Sequence, residues 1–289
     1  MDEAMRQKIA AYIYSRCFEK GNFILTSGKK TNYYIDMKQA LLIPEGSNLI
    51  STALLELVAA NTPEAEAVGG PALGAVPLVS SMSVLSYSYP GTGNLPSFIV
   101  RKEKKTHGTT AQVECPPLPR GTKVIIVDDV VTTGGSTFRA VDAAAEMGWE
   151  TCGVFTVVDR MEGGKENMDA RGLKFYPLLL VSDLDKLEAE MERRFPLSWA
   201  AVNAPAGEDY LKGLKEAWPE VAGIYPTIGF AFMLMLNKII ENRVITADEA
   251  RMKDFRRRAI RLLKHIAFDP FDAELDLYCR KIYKDFVTK

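Results

Sequence analysis

The stretch that most constrains the fold is KVIIVDDVVTTGGST, residues 123–137, in which an apolar run ends at two adjacent aspartates. An apolar strand without alternation is typical of a parallel sheet that is covered on both faces. The threonine- and glycine-rich turn that follows lets the backbone approach a ligand closely, because glycine has no Cβ. We therefore predict a buried strand, a ligand-binding turn and a helix over 136–147, with Asp128 and Asp129 at the carboxyl end of the strand.

Strand and helix patterns alternate over roughly the first 190 residues, which favours an α/β domain with a mostly parallel sheet. Gly21 is the predicted stop of the first helix. The predicted elements are a helix at 2–19, two short strands within 23–38, a helix at 47–60, a strand and a helix within 66–87, and strands at 97–100, 151–160 and 175–184.

The character of the sequence changes near residue 195, and no convincing strand pattern follows. We predict two domains, an α/β domain over 1–195 and an all-helical C-terminal extension over 196–289 whose role the sequence does not indicate. Within the extension, the segment 251–264 is rich in basic residues. A helix that packs on its domain with a basic outer face explains this segment more simply than a helix that binds nucleic acid or a membrane. The helices predicted in the extension are 207–217, 228–241, 247–268 and 272–286.

The overall composition, 47% hydrophobic and 25% charged residues over 289 positions, is that of an ordinary globular protein. The net charge of −1 gives no reason to expect a nucleic-acid partner. Four scattered cysteines without a C-x-x-C pair indicate neither a disulfide framework nor a zinc site, so we expect a cytoplasmic protein. The longest apolar run, 228–236, is well short of the ~20 residues that cross a bilayer.

The paired acids need partners, because two neighbouring carboxylates cannot both be buried unpaired. Ribose hydroxyls, a hydrated cation or a basic side chain would serve. The start of the helix behind the glycines presents N–H groups and a positive dipole end, which favours an anion such as phosphate. Neither G-x-x-x-x-G-K-[ST] nor G-x-G-x-x-G is present. Taken alone, the turn is also compatible with a polar loop and a capped helix.

The thirteen-residue pattern at 124–136 resembles the phosphoribosyl pyrophosphate (PRPP) signature of the type I phosphoribosyltransferases. The resemblance implies that family's fold, a mostly parallel central sheet flanked by helices. It also implies that Asp128 and Asp129 hold the ribose hydroxyls of PRPP, directly or through water on Mg²⁺, a cofactor held mainly by PRPP. The turn would bind the 5-phosphate, and its implied PRPP-binding residues are Val130, Val131, Thr132, Thr133, Gly134, Gly135 and Ser136.

The stretch RKEKKTHG, residues 101–108, places four basic residues against one acid. A solvated hairpin tip is the usual meaning of such a run. A basic loop can also close over pyrophosphate, exclude water and stabilise charge on a leaving group. The stretch resembles the R-K-x-x-K-x-H-G catalytic loop of orotate phosphoribosyltransferases, which enters the active site of the neighbouring subunit, so it implies a homodimer. The implied catalytic residues are Arg101, Lys102, Lys105 and His107, together with Asp129.

Two further segments resemble parts of the same family. SGKKTNYYID, residues 27–36, resembles a segment near the N-terminus, with Thr31-Asn32 in place of the usual Ser-Pro. GGPALGAVP, residues 69–77, resembles the loop that contacts pyrophosphate. Some relatives carry lysines where this chain has Thr26 and Gly74, so neutralisation of pyrophosphate would depend more on residues 101–107 and magnesium. The implied PRPP-binding residues here are Gly70, Pro71, Ala72 and Thr26.

VVDRMEGG, residues 157–164, resembles the family segment whose arginine binds the orotate carboxylate. The assignment of Arg160 is physically sound, because a planar guanidinium makes a bidentate pair with a carboxylate. In isolation Arg160 would be interpreted as part of a surface salt bridge. The resemblance also implies a place for Thr132 beside orotate, and Tyr33 and Tyr34 are candidates for stacking on the base.

The sequence thus predicts an orotate phosphoribosyltransferase of pyrimidine nucleotide biosynthesis, with PRPP and orotate as substrates and no nucleic-acid or membrane partner. Orotate carries a carboxylate, whereas uracil and the purines do not. Two alternatives stay open: a phosphoribosyltransferase for another base, and a regulator of the same fold that senses PRPP. The basic loop favours an enzyme, because a sensor does not need it.

Overall fold

The computed structural model describes residues 1–24, 30–103, 112–194, 200, 210–219, 257, 259–261 and 263–264. The chain divides into two compact units, Met1–Leu184 and Asp185–Lys289. The predicted limits 1–195 and 196–289, and the helical character of the whole second part, stay predictions.

The elements of the chain follow the predicted alternation. The strands are β1 Phe18–Ile24, β2 Lys30–Ile35, β3 Ala67–Pro71, β4 Ser97–Val100, β5 Val113–Glu114, β6 Lys123–Val131, β7 Glu150–Asp159 and β8 Phe175–Leu180. The helices are α1 Glu3–Cys17, α2 Lys38–Leu41, α3 Pro44–Asn61, α4 Val76–Ser86, α5 Gly135–Glu146, α6 Gly164–Ala170, α7 Val181–Arg194 and, in the second unit, α8 Tyr210–Ala217.

Six strands form the central sheet in the order β5-β4-β3-β6-β7-β8. All neighbouring strands in it are parallel except β4 and β5, which are antiparallel. Strands β1 and β2 form a separate antiparallel pair. The predicted α/β fold with a mostly parallel sheet and flanking helices is confirmed.

Strand β6 lies in the interior of the sheet, between β3 and β7, and its apolar residues are buried on both faces. Val124, Ile125, Ile126 and Val127 are all fully buried. Successive side chains of a strand point to opposite faces, and Val124 and Ile126 share one core cluster with three alanines of α5, namely Ala140, Ala143 and Ala144. This double coverage is the reason for the missing alternation in the sequence.

Several elements differ from the sequence prediction, and helices α2, α6 and α7 were not predicted. Helix α1 ends at Cys17 and β1 begins at once with Phe18, so the strand runs through Gly21, the predicted helix stop. The strand predicted over 175–184 ends at Leu180, because Asp183 accepts a hydrogen bond from the Leu180 N–H (3.0 Å) as α7 begins. Strand β5 was not predicted, since its two residues are defined by pairing with β4.

Little of the predicted extension lies within the described residues. Helix α8 covers residues 210–217 of the helix predicted at 207–217. Of the segment 251–264, Ala259 and Leu263 are buried, and so is Lys264, although the basic residues were predicted to face outward. The helices predicted at 228–241 and 272–286 lie outside the described residues. Within the described part of the chain, no helix combines the length and the apolar character that crossing a membrane requires.

Candidate active site

Four of the predicted motifs follow neighbouring strands at one edge of the sheet. Strands β4, β3, β6 and β7 are adjacent and parallel, so their carboxyl ends lie side by side. Ligands bind in the crevice at this edge in open α/β sheets. The fold therefore brings together four segments that are distant in sequence, which begin at Ala72, Arg101, Thr132 and Arg160.

Asp128 is buried and holds the turn to helix α5. Its Oδ2 accepts hydrogen bonds from Ser136 Oγ (2.9 Å) and Thr137 Oγ1 (2.8 Å), and its Oδ1 accepts one from the Asp129 N–H (3.1 Å). Only 3% of its surface is exposed. The partners that a buried carboxylate requires are therefore supplied largely by the chain itself.

Asp129 is more open than its neighbour and lies beside the Gly74 loop. Its Oδ1 accepts a hydrogen bond from the Val130 N–H (3.0 Å). A Cβ placed on Gly74 would lie only 2.6 Å from this oxygen, so the loop after β3 touches the carboxylate. Of the two acids, Asp129 is the better placed to meet a ligand in the crevice.

The pKa values of both acids are raised. Burial raises the pKa of Asp128 to about 7, and the charge of Asp129 adds to the increase, whereas the hydroxyls of Thr137 and Ser136 oppose it. Burial also raises the pKa of Asp129, against the hydrogen bonds it accepts and the positive charge of Lys38. Each acid ionises more readily when a cation or a hydroxyl donor reaches the crevice.

The turn between β6 and α5 exposes backbone N–H groups. Gly134 has a left-handed conformation (φ 88°) and precedes the first residue of α5, Gly135. Within the described residues, the N–H groups of Thr133 and Gly134 have no hydrogen-bond partner. The first turn of a helix adds further unpaired N–H groups. By contrast, Val131 packs its side chain in the core, so only its backbone can face a ligand.

Arg160 follows β7 and is buried among Thr31, Tyr33 and Glu162, which we call the Arg160 clamp, rather than forming a surface salt bridge. Its Nε donates to Tyr33 Oη (3.2 Å) and lies 2.9 Å from Glu162 Oε1. Its Nη2 donates to Thr31 Oγ1 (3.1 Å), and the guanidinium lies 4.4 Å from the centre of the Tyr33 ring. The side chain is only 4% exposed. In the described part of the chain, no residue accepts a hydrogen bond from Nη1.

The two candidate tyrosines lie on opposite faces of β2. Tyr33 stacks on Phe18 (centroids 5.5 Å apart) and supports the Arg160 guanidinium. Tyr34 packs against Phe23 (5.6 Å) and is 38% exposed. The strand therefore brings Tyr33 to Arg160 and turns Tyr34 away from it. Thr31, on the same face as Tyr33, keeps the hydroxyl that the family's usual serine would supply.

Part of the predicted basic loop is described. Arg101 directly follows β4 and pairs with Glu114 (2.9 Å) at an exposed position, and Lys102 is exposed. In the neighbouring loop, the Ala72 N–H donates to the Val100 carbonyl (2.7 Å), and the peptide bond between Ala72 and Leu73 is cis. Lys105 and His107 of the basic loop lie outside the described residues, as does Thr26, which lies between β1 and β2.

Comparison with known proteins decides the family. Residues 47–174 match the family model for the phosphoribosyl transferase domain. The chain is 44% identical over 170 residues to the orotate phosphoribosyltransferase of Pyrococcus horikoshii, and the match covers 59% of this chain and 87% of that protein. The chain belongs to the orotate phosphoribosyltransferase family.

Solved structures of orotate phosphoribosyltransferases are also similar to this chain. The Mycobacterium tuberculosis H37Rv enzyme in complex with Fe(III) dicitrate is 34% identical, with a TM-score of 0.54, over 62% of this chain and 98% of that one. The same enzyme in complex with PRPP is 31% identical, with a TM-score of 0.51, over 63% of this chain and 99% of that one. The family resemblance predicted from the motifs is confirmed.

Several site residues were not found from the family motifs. Thr137 directly follows the signature, and a search for hydroxyl partners of the acid pair would have found it. Glu162 lies within the motif at 157–164 but was given no role, although it is only two residues from Arg160. Gly164 and Asn167 gave no such signal, because their contacts reach Thr132 and Thr133, more than thirty residues earlier. Asn167 Nδ2 donates to the Thr133 carbonyl, 34 residues earlier, at 2.9 Å.

Proposed function

We propose that this chain is an orotate phosphoribosyltransferase, which transfers ribose 5-phosphate from PRPP to N1 of orotate. One observation carries the proposal: the PRPP signature and a buried guanidinium lie at the ends of adjacent strands, β6 and β7. A base that carries a carboxylate is the natural partner of such a guanidinium. Orotate has that carboxylate, whereas uracil, adenine and guanine do not.

The reaction breaks the bond between the anomeric carbon and the pyrophosphate oxygen and forms a bond to N1 of orotate, which loses its proton. Positive charge develops on the ribose as pyrophosphate leaves. Asp129 accepts hydrogen bonds from the ribose hydroxyls and offsets this charge, while Asp128 holds the turn through Ser136 and Thr137. The N–H groups of Thr133 and Gly134 bind the 5-phosphate.

Arg160 orients orotate through its Nη1 and Nη2 edge. Thr31, Tyr33 and Glu162 occupy the Nε and Nη2 side of the guanidinium. The end that remains matches the two oxygens of a carboxylate, which makes a bidentate pair possible. Arg101, Lys102, Lys105 and His107 stabilise the departing pyrophosphate, and the exposed Arg101–Glu114 pair is weak enough to exchange for it.

Magnesium fits this site as an ion that arrives with PRPP. No group of three or more carboxylate, histidine or cysteine ligands occurs among the described residues. Mg²⁺ commonly keeps several waters and binds through one or two carboxylates plus substrate phosphates. Asp128 and Asp129 would hold its waters, and the bound ion would offset the charge of the pyrophosphate.

A homodimer with shared active sites is part of the proposal. The family's basic loop acts in the neighbouring subunit, and α4 offers a face for a second copy. Val84 (75% exposed) and Tyr87 (81% exposed) lie three residues apart at the end of this helix, with Ser80 one turn before Val84. Exposed apolar neighbours of this kind mark interaction surfaces. A cytoplasmic location also stays a prediction, in keeping with the unpaired thiols of Cys115 and Cys152.

The test is an assay of pyrophosphate release with PRPP, Mg²⁺ and one base at a time. We expect turnover with orotate and none above background with uracil, adenine or guanine. Turnover with another base instead of orotate would show that this other base is the acceptor. Binding of PRPP without turnover of any base would identify a sensor. Two variants test the proposed residue roles. Lys105→Ala should abolish turnover, and Arg160→Ala should weaken the binding of orotate much more than the binding of PRPP.

A further inference from the structure

Two carbonyl groups of the phosphate-binding turn face helix α6. The Thr133 carbonyl accepts a hydrogen bond from Asn167 Nδ2 at 2.9 Å. Gly164, the first residue of α6, lies so close to the Thr132 carbonyl oxygen that a Cβ there would be 2.7 Å from it. Both carbonyl groups therefore point to the α6 side of the turn.

This arrangement fixes the direction of the two N–H groups that follow. In a trans peptide the C=O and the N–H point in opposite directions within one plane. Within the described chain, the cis peptide bond is the one between Ala72 and Leu73, so the peptides after Thr132 and Thr133 are trans. The N–H groups of Thr133 and Gly134 thus point away from α6, and the first turn of α5, which begins at Gly135, adds further unpaired N–H groups.

We propose that Asn167 is a positioning residue for the 5-phosphate of PRPP. Its side chain holds the Thr133–Gly134 peptide in the orientation that presents the Gly134 N–H to the phosphate. Without it, the peptide before the left-handed Gly134 can rotate, and part of the binding free energy goes into ordering the turn. The inference rests on the proposed function, because it requires that PRPP is the ligand.

Asn167 acts on one part of the ligand only. The turn would contact the 5-phosphate, whereas residues 70–72, at the end of β3, and residues 101–107 would contact the pyrophosphate. Ribose 5-phosphate and inorganic pyrophosphate are therefore separate probes of the two subsites. Asn167 is exposed, so water competes for its hydrogen bond and the effect of its loss is modest.

The experiment measures inhibition constants of both probes for Asn167→Ala. We expect the constant for ribose 5-phosphate and the KM for PRPP to rise about threefold to tenfold, the range for one hydrogen bond. The constant for pyrophosphate, the KM for orotate and kcat should stay within about twofold. Asn167→Gln keeps the amide donor and should restore part of the loss. Asn167→Asp places a carboxylate against the Thr133 carbonyl and should cost more than alanine.

The matched control is Asp169→Ala on the same helix. Asp169 pairs with Lys165 (2.6 Å) and lies on α6 without a hydrogen bond to the turn. We expect wild-type constants for this variant and similar thermal unfolding for all four. Asn167→Ala with an unchanged constant for ribose 5-phosphate, or with equal increases for both probes, would overturn the inference. Absence of orotate turnover in the wild type would instead overturn the proposed function, and direct binding of ribose 5-phosphate would still test Asn167.

Discussion

Asp128 and Asp129 are adjacent in the chain, yet their surroundings give them different tasks. Asp128 is buried and bonded to Ser136, Thr137 and the Asp129 N–H, so it braces the turn. Asp129 is partly exposed beside Gly74, where a ligand can reach it. The sequence predicted both as ribose ligands. That assignment stays a prediction; the structure shows Asp128 bonded within the turn and Asp129 as the more open of the two acids.

The raised pKa of Asp128 makes stability depend on pH in the substrate-free protein. Its pKa rises from 3.8 to about 7, chiefly by burial. Between these values the folded state binds more protons than the unfolded chain, so stability falls as pH rises through this range. Asp128→Asn removes this titration. Relative to wild type, the variant's free energy of unfolding should gain on the order of 2–4 kcal/mol between about pH 4 and about pH 8.

Urea denaturation of both proteins at several pH values measures this difference. Asparagine keeps an acceptor for Ser136 and Thr137, so the variant is expected to fold. A difference between the two proteins that stays constant with pH would contradict the raised pKa.

Gly74 leaves room for the Asp129 carboxylate. Because a Cβ at this position would lie 2.6 Å from Asp129 Oδ1, Gly74→Ala should push the carboxylate away from the Val130 N–H. We expect the KM for PRPP to rise about tenfold or more, as for loss of a charged hydrogen bond. The orotate KM and the thermal stability should change little. Gly93→Ala, where a Cβ meets nothing within 4 Å, is the matched control; equal kinetics in the two variants would refute the steric argument.

At the scale of elements, the β1–β2 pair lies against Arg160, the residue proposed to recognise the base. Thr31 and Tyr33 of β2 contact Arg160 after β7, although about 130 residues separate them in sequence. Of the Thr31-Asn32 pair that stands in place of the family's usual Ser-Pro, the Thr31 hydroxyl is the group that contacts Arg160. Helix α6 likewise contacts the turn between β6 and α5, through Gly164 and Asn167.

Thr31→Ala tests the contribution of β2 to orotate binding. The variant removes the acceptor for Arg160 Nη2, so the guanidinium is less firmly oriented. We expect the KM for orotate to rise about threefold to tenfold, with the KM for PRPP unchanged, as for the loss of one hydrogen bond. Steady-state kinetics with each substrate varied in turn measures the split. Thr31→Ser keeps the hydroxyl and should behave as wild type; a loss equal to that of alanine would show that the methyl group matters instead.

At the scale of the whole molecule, a dimer that shares its active sites would tie the basic loop of one subunit to the Arg160 clamp of the other. The sheet edge of one chain supplies the acid pair, the phosphate turn and Arg160. The exposed Val84 and Tyr87 on α4 supply an apolar face for association. In a twofold dimer the two active sites are equivalent, so each would need both chains.

Mixing two inactive variants tests this arrangement. Lys105→Ala and Arg160→Ala should each have little or no activity at low orotate concentration. If sites are shared, a mixed dimer has one site with both changes and one with neither, so activity returns on mixing after subunit exchange. Sedimentation equilibrium checks the dimer, and Val84→Glu with Tyr87→Glu should shift it towards monomer. Full exchange without any recovery of activity would place the complete site within one chain.

How much of the molecule could be predicted depends on the range of the interactions involved. The buried strand β6, the turn and helix α5 were predicted nearly to the residue, because an apolar run, glycines and a helix start are local signals. The family was predicted from contiguous motifs for the same reason. Two predictions were wrong: β8 ends at Leu180 rather than at residue 184, and Gly21 lies within β1 rather than at the end of a helix. Helix and strand patterns are hard to tell apart over short apolar segments.

The sequence by itself indicated the family, the main strands and helices of the first domain, and the motifs predicted to recognise PRPP and orotate, because each is encoded in short runs of neighbouring residues. Only the tertiary structure showed that Asp128 is bonded within the turn while Asp129 is more open, that Tyr33 supports Arg160 while Tyr34 does not, and that Asn167 bonds the Thr133 carbonyl. The contacts of Tyr33 with Arg160 and of Asn167 with Thr133 each join residues more than thirty positions apart, and only packing brings such residues together.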